Sequence, residues 1–185
     1  MNGSTKSDSD VTGELCLACG LCCNGVIFAN VGLQPGDDEE RLRSFGLPVC
    51  PPRSARQPPF LSQPCAALEG CRCRVYADRP KYCRQFECVL RKSVVAGRTQ
   101  PAEALRIIVA ARDRADKVTR LLRALGDRDE HVALSARFRR TSARLKPMDL
   151  SEETANTYGQ LTLAVHDLNL LMGDAFYPGA AGRET

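Results

Sequence analysis

The sequence has no tryptophan and only two histidines among its 185 residues, and aromatic residues make up 5% of it. No apolar run approaches the roughly 20 residues that span a bilayer. The first fourteen residues are polar and contain nothing typical of a secretion signal. These absences argue against a membrane protein and predict a cytoplasmic location. Because histidine is scarce, any sizeable metal site must be built mostly from other ligands.

Several motifs of nucleotide binding and catalysis are missing as well. The sequence contains no P-loop, no GxGxxG fingerprint, no GxSxG nucleophile elbow and no CxxxCxxC of the radical S-adenosylmethionine type. The residues therefore define no catalytic dyad and no small-molecule substrate. They leave open whether the chain is an enzyme.

Cysteine, by contrast, is abundant, with ten residues that all lie between positions 16 and 88. In a reducing cytosol, glutathione and thioredoxin keep ordinary thiols reduced. So many cysteines in such a chain therefore predict metal binding rather than a disulfide scaffold.

The densest cysteine run is CLACGLCC, residues 16–23. Cys16, Cys19 and Cys22 form CxxCxxC, the three-ligand run that ferredoxins use for a 4Fe-4S cluster, but the fourth ferredoxin cysteine and its proline are missing. Adjacent side chains diverge, so Cys22 and Cys23 cannot easily chelate one zinc ion and suit two metals or one extended cluster. Thiolates to close such sites are available at Cys65, Cys71, Cys73, Cys83 and Cys88.

The composition divides the chain into four predicted segments. Residues 1–14 and 177–185 are expected to be disordered tails, residues 15–97 a cysteine-rich metal-binding module, and residues 98–176 a helical unit. The predicted fold is mainly α, with a small irregular α+β module of short hairpin and loops packed against a C-terminal three-helix unit.

Within the module, Asp37 to Glu40 predict a short helix that Gly46 ends. The proline-rich stretch 48–64 predicts a loop with neither helix nor interior strand. Residues 65–76 predict a compact hairpin, and a helix is expected after Pro80.

Three helices are predicted after residue 98. The first is capped by Thr99, the second covers roughly 129–145, and the third starts at Ser151. The apolar stripe of the first helix comprises Leu105, Ile108, Ala111, Ala115, Val118, Leu122 and Leu125. Basic residues of the second helix form a patch, but aromatic residues are not interleaved with them, so a solvated face is favoured over a nucleic-acid surface. These residues are Arg137, Arg139, Arg140 and Arg144.

The CLACGLCC run, followed by CRVYADRPKYCRQFEC at residues 73–88, resembles a known family. It is similar to the zinc- or iron-chelating cysteine-cluster proteins, also called the CxxCxxCC or YkgJ-like family, to which the flagellin lysine N-methylases are related. The resemblance covers about residues 14–90. It implies metal ligands at Cys16, Cys19, Cys22, Cys23, Cys65, Cys73, Cys83 and Cys88, while Cys50 and Cys71 do not match and are treated as extra thiols.

Four further residues at family positions are expected near the thiolates. Arg79 and Arg84 are predicted to donate hydrogen bonds to sulfur and to offset thiolate charge, although a solvated role on a short helix is the alternative. Tyr76, like Phe86, is expected to be apolar cover for the site.

Three functions are compatible with the sequence. The first is an iron-sulfur protein that holds a 4Fe-4S or related multi-iron centre through the eight matching cysteines, in a redox role or in support of an unidentified activity. The second is a structural zinc module with two four-cysteine sites, whose helical unit binds an unidentified protein partner. The third is an enzyme resembling the lysine N-methylases, for which the sequence shows no glycine-rich donor loop.

Overall fold

The computed structural model describes the backbone of residues 8–177 and the side chains of residues 13–177. This part of the chain is mainly helical with small antiparallel strands, as predicted. The helices are α1 (Asp8–Cys19), α2 (Glu39–Ser44), α3 (Lys81–Gln85), α4 (Val89–Val95), α5 (Pro101–Ala124), α6 (Leu134–Leu145) and α7 (Glu152–Ala175). The strands are β1 (Asn30–Gly32), β2 (Val49–Cys50), β3 (Phe60–Ser62), β4 (Leu68–Glu69) and β5 (Arg72–Cys73).

Helices α5 and α7 pack along each other and form most of the helical core. The predicted stripe of α5 is buried except for Leu105, which is 43% exposed. Its neighbour Ala104 takes the core-facing position instead, because successive residues of a helix point about 100° apart. The residue that precedes α5 is Gln100, and the hydroxyl of the predicted cap, Thr99, instead lies 2.8 Å from that of Ser93.

The corner between α5 and α6 differs from the prediction. Helix α6 begins at Leu134 rather than near 129, because residues 126–133 form an irregular turn around the buried Asp127. Arg137 was expected on a solvated face but is 3% exposed, and its Nε donates to Asp127 Oδ1 at 2.9 Å. The basic patch is therefore partly an internal ion pair. The third helix confirms its predicted start, since the Ser151 hydroxyl accepts from the Thr154 amide at 3.3 Å.

The module contains a three-stranded antiparallel sheet in the order β1-β3-β2. The prediction that residues 48–64 hold no interior strand is wrong, because β3 lies at the centre of this sheet. The strand forms in a proline-free stretch, with Pro59 before it and Pro64 after it, so no ring interrupts the ladder. The hairpin is confirmed as β4 paired with β5, and Gly70 in its turn has φ +62°.

The N-terminal boundary also differs from the prediction. Helix α1 begins at Asp8 and so includes residues 8–14 of the segment that was predicted to be a disordered tail. Residues 1–7 lie outside the described part of the chain. The helix is stabilised by packing against α4 and α5, with Leu15 buried. At the other end, the Tyr177 hydroxyl donates to the Ile27 carbonyl at 3.4 Å, and residues 178–185 lie outside the described range.

The buried apolar residues form two cores. The helical core combines α5, α6 and α7 with Leu15, Leu21 and Ile27 from the cysteine-rich segment. The sheet core comprises Val31, Leu33, Leu42, Leu47, Leu61, Ala67 and Val75. Part of the predicted module thus completes the core of the helical unit. None of the described helices is both long and apolar enough to cross a membrane.

Candidate metal centre

A cavity of about 220 Å³ lies among the cysteine-bearing segments. All eight cysteines implied by the resemblance line it, together with Cys71, although they come from segments that are up to 72 positions apart. Cys50 does not line it, and its thiol lies 3.6 Å from the Ser62 hydroxyl. The rest of the wall is largely apolar.

Packing separates the thiols into two sets. Cys19, Cys22 and Cys88 pack against the helical core. Cys65, Cys73 and Cys83 pack against the sheet core. The cavity therefore lies where the two cores meet, with thiols on both walls.

The effects of neighbouring thiolates on pKa indicate to which set the two remaining cysteines, Cys16 and Cys23, belong. Apart from burial, the pKa of Cys22 is raised by Cys19, Cys23, Cys88 and Cys16, whereas that of Cys23 is raised by Cys65, Cys83 and Cys73. We call Cys16, Cys19, Cys22 and Cys88 the helix-side group. The sheet-side group is Cys23, Cys65, Cys73 and Cys83. Among these couplings, only that between Cys22 and Cys23 links the two groups.

The adjacent Cys22 and Cys23 supply one thiol to each group because the chain turns sharply after α1. Gly20 has φ +67°, and its carbonyl accepts hydrogen bonds from the Cys23 and Asn24 amides at 2.9 and 3.0 Å. The Cys65 amide donates to the Cys23 carbonyl at 2.7 Å, which fixes the sheet-side segment beside this turn. Cys16 and Cys19 lie on the last turns of α1, so the first motif starts on a helix rather than wholly in a loop.

Backbone amides oppose the rise in thiol pKa that burial causes. The Leu21 amide lowers the pKa of Cys19 and the Ala67 amide that of Cys65, but burial outweighs both. The Cys88 thiol accepts a hydrogen bond from the Arg91 amide at 3.4 Å. Such bonds stabilise the thiolate relative to the thiol, which is the form that binds metal.

Partial burial favours the protonated form of several of these thiols in the absence of a metal. Desolvation, helped by neighbouring thiolates, raises the pKa of Cys19 and of Cys23 to about 12 and that of Cys83 to about 11. The pKa of Cys22 is raised further still by the same causes. Metal binding at this site must therefore release protons, and stability and metal affinity must depend on pH together.

Arg79 is a cationic side chain whose charge acts on thiols of both groups. Its charge lowers the pKa of Cys16, in the helix-side group, and of Cys23 and Cys83, in the sheet-side group. Its guanidinium lies 3.5 Å from the centre of the Tyr76 ring, and its Nε donates to the Tyr76 carbonyl at 2.8 Å. The charge-offsetting prediction for Arg79 is thus consistent with its position.

The other residues predicted near the thiolates have different roles. Tyr76 is 41% exposed and supports Arg79, so it is not buried cover. Arg84 lines the cavity but is exposed, which suits the solvated alternative. Phe86 does provide apolar cover, with its ring packed edge-on against Phe28 at 4.7 Å between centroids.

Two contacts at the cavity were not found from the sequence. Arg112 of α5 donates hydrogen bonds to the Cys71 thiol and, at 3.1 Å, to the Ala18 carbonyl. Gln63 is buried in the cavity wall. Neither residue belongs to a motif, and Arg112 lies 94 positions from Ala18, so no local signal could have identified them.

The thiols surround the cavity without converging on a point. Within residues 13–177, no three or more His, Cys, Asp or Glu side chains lie close enough together to hold a metal ion as the chain is arranged. The donor set nevertheless fits a thiophilic metal, because it consists of sulfur with amide hydrogen bonds. Binding would draw the thiols of each group inward.

Comparison with known proteins adds no relative. No family model, no curated protein and no solved structure matches the chain. The resemblance to the CxxCxxCC family therefore depends on the two cysteine motifs. What the site can do must be argued from the number, grouping and surroundings of its thiols.

Proposed function

We propose that the chain is a metal-binding protein that holds iron-sulfur centres through its eight matching cysteines, four in each group. The observation that carries this proposal is the division of these thiols into two groups of four around one cavity. A 4Fe-4S cluster takes four cysteine thiolates, and Cys22 and Cys23 then serve one centre each. Bound clusters would supply one-electron transfer, in a redox role or in support of another activity.

The spacing of the thiols favours a cluster over a single ion. Zinc requires four sulfurs at about 2.3 Å from one point. The thiols here line a cavity of about 220 Å³ and are not gathered at such a point. A cluster with several irons and sulfides occupies more space than one ion, so it requires less movement of the surrounding chain.

Two structural zinc ions remain the alternative, and one observation favours them. Each group contains four thiols, which is the coordination number of structural zinc. In that case each metal joins the distant segments that carry the thiols of one group, and the function lies in binding of a protein partner by the helical unit. No observation on the described residues favours the lysine N-methylase alternative.

Metal analysis of protein purified without oxygen tests the proposal, together with its absorption spectrum. We expect a brown protein with iron and acid-labile sulfide sufficient for two clusters per chain. Colourless protein with two zinc ions per chain would establish the alternative, and protein without stoichiometric metal would refute both.

A matched pair of variants distinguishes the loss of a thiol that lines the cavity from the loss of a cysteine elsewhere. Cys88→Ser removes a thiol that lines the cavity, whereas Cys50→Ser removes one that does not. We expect Cys88→Ser to lose metal and Cys50→Ser to keep the full complement. Equal metal content in the two variants would contradict the assignment of the site.

A further inference from the structure

Gln63 is a buried polar residue with an unsatisfied acceptor. It is 3% exposed, and its Oε1 has no hydrogen-bond partner. Buried polar atoms in native proteins are nearly always paired, so each exception calls for an explanation such as a ligand or ion. Gln63 lines the same cavity as the cysteines.

The backbone around Gln63 is fixed beside the sheet-side group. The Gln63 amide donates to the Ala29 carbonyl at 3.0 Å, and the Cys65 amide donates to the Cys23 carbonyl at 2.7 Å. Between them, Pro64 packs against Gly25, where a Cβ on the glycine would lie 3.2 Å from the proline ring. Gln63 therefore belongs to the segment that carries Cys65, and the hydrogen bond of the Cys65 amide holds this segment beside Cys23.

The side-chain amide of Gln63 can donate a hydrogen bond to sulfur when its nitrogen and oxygen exchange places. Its two ends have the same shape, so a half-turn about the last side-chain bond places Nε2 where Oε1 lies. An N–H group can donate to a thiolate or to an inorganic sulfide, whereas the carbonyl end cannot. Hydrogen bonds to sulfur stabilise the more negative, reduced state of a cluster and raise its reduction potential.

We infer that Gln63 donates a hydrogen bond to the sulfurs of the sheet-side centre and adjusts that centre separately from the helix-side centre. The inference depends on the proposed function, because it requires a metal centre in the sheet-side group. It assigns Gln63 a positioning role, since the side chain acts through the ligands. The two centres are thereby made unequal, although each has four cysteines.

The test compares Gln63→Leu and Gln63→Met with the wild type, and uses Gln160→Leu, on the exposed face of α7, as control. Redox titration by electron paramagnetic resonance follows both centres, and Cys65→Ser identifies the sheet-side signal by its loss. We expect both Gln63 variants to lower the sheet-side potential by about 59 mV, which is a tenfold change for a one-electron couple. The helix-side potential and the control should not change.

If the bound metal is zinc, competition with a chelator replaces the titration. We then expect about tenfold weaker retention of one of the two ions in the Gln63 variants. Unchanged values, or equal shifts at both centres, in a wild-type protein that holds two metal centres would overturn this inference alone. Absence of metal from the wild type would instead refute the proposed function.

Discussion

Replacing Asp127 by Asn tests whether the buried ion pair between Asp127 and Arg137 stabilises the turn between α5 and α6. The carboxylate accepts from Arg137 Nε at 2.9 Å, from Arg140 Nη2 at 2.7 Å and from the Thr141 hydroxyl at 3.5 Å. The side chains of Asp127 and Arg137 are each 4% exposed, whereas that of Arg140 is 50% exposed. Removal of the negative charge therefore leaves one guanidinium buried without its counter-ion, while the other can turn to water.

The expected cost follows from that difference. Breaking a buried ion pair on one side costs about 3–5 kcal/mol. Asparagine keeps one acceptor, and Arg137 also donates to the Asp127 carbonyl at 3.0 Å, so we expect the lower end, about 3 kcal/mol. For a chain of this size this corresponds to a melting temperature about 6–12 °C lower.

Urea unfolding followed by circular dichroism measures the effect. Asp129→Asn is the matched control, because Asp129 is 44% exposed and its ion pair is with the exposed Arg140. Its loss should cost less than about 1 kcal/mol. Equal effects of the two substitutions would refute the claim that burial of Arg137 makes Asp127 important.

The same pair has a defined dependence on pH. Burial opposes the charge of Asp127, but the hydrogen bonds from Arg140 and Arg137 outweigh burial and lower its pKa below the usual value. A carboxylate with a lowered pKa in the folded state stabilises the protein fully above its ordinary pKa of about 3.9. This contribution is lost as the pH falls through the lowered value. The difference between wild type and Asp127→Asn should therefore be constant from about pH 5 to 8 and shrink below about pH 4.

Two further predictions concern the surroundings of the thiols and a matched glycine pair. Arg79→Gln should shorten the half-time of metal loss to a chelator from both groups, because the charge of Arg79 acts on thiols on both walls. Arg79→Lys should restore part of this half-time. Equal half-times in the wild type and the two variants would exclude this role. Gly25→Ala should cost about 2–3 kcal/mol in urea unfolding, because Gly25 has φ +82° and a Cβ would lie 3.0 Å from the Ala133 Cα. Gly159→Ala, in open space on α7, should gain about 0.5–1 kcal/mol, and a loss at Gly159 or no cost at Gly25 would contradict this packing.

The helices were predictable because their signals are local. The stripe of α5, the Ser151 cap and the Gly70 turn each depend on residues within a few positions of one another. Strand β3 was missed because a three-residue strand has almost no periodicity, and the prolines on both sides dominate the local pattern. What places it centrally is pairing with β1 and β2, which the local sequence does not encode.

The cysteines that line the cavity could be selected from the sequence, but their arrangement could not. The two motifs contain seven of the eight cysteines, and the family resemblance adds Cys65. The adjacent pair Cys22 and Cys23 indicated two metals or one extended cluster. The division of the thiols depends on which core each segment packs against, and that is decided by contacts between distant parts of the chain. Burial of Arg137 was missed for the same reason, because Asp127 lies in the preceding turn rather than on α6.

Metal counting in Cys22→Ser and Cys23→Ser tests the central claim most directly. Cys88→Ser and Cys65→Ser provide a second pair, one from each group, and circular dichroism shows whether each variant keeps its helices. If the eight thiols form two four-cysteine centres, each substitution should remove one centre and leave the other, so that every variant keeps half of the metal. Loss of all metal from every helical variant would show a single extended cluster, and full metal in all four variants would show that these thiols are not the ligands.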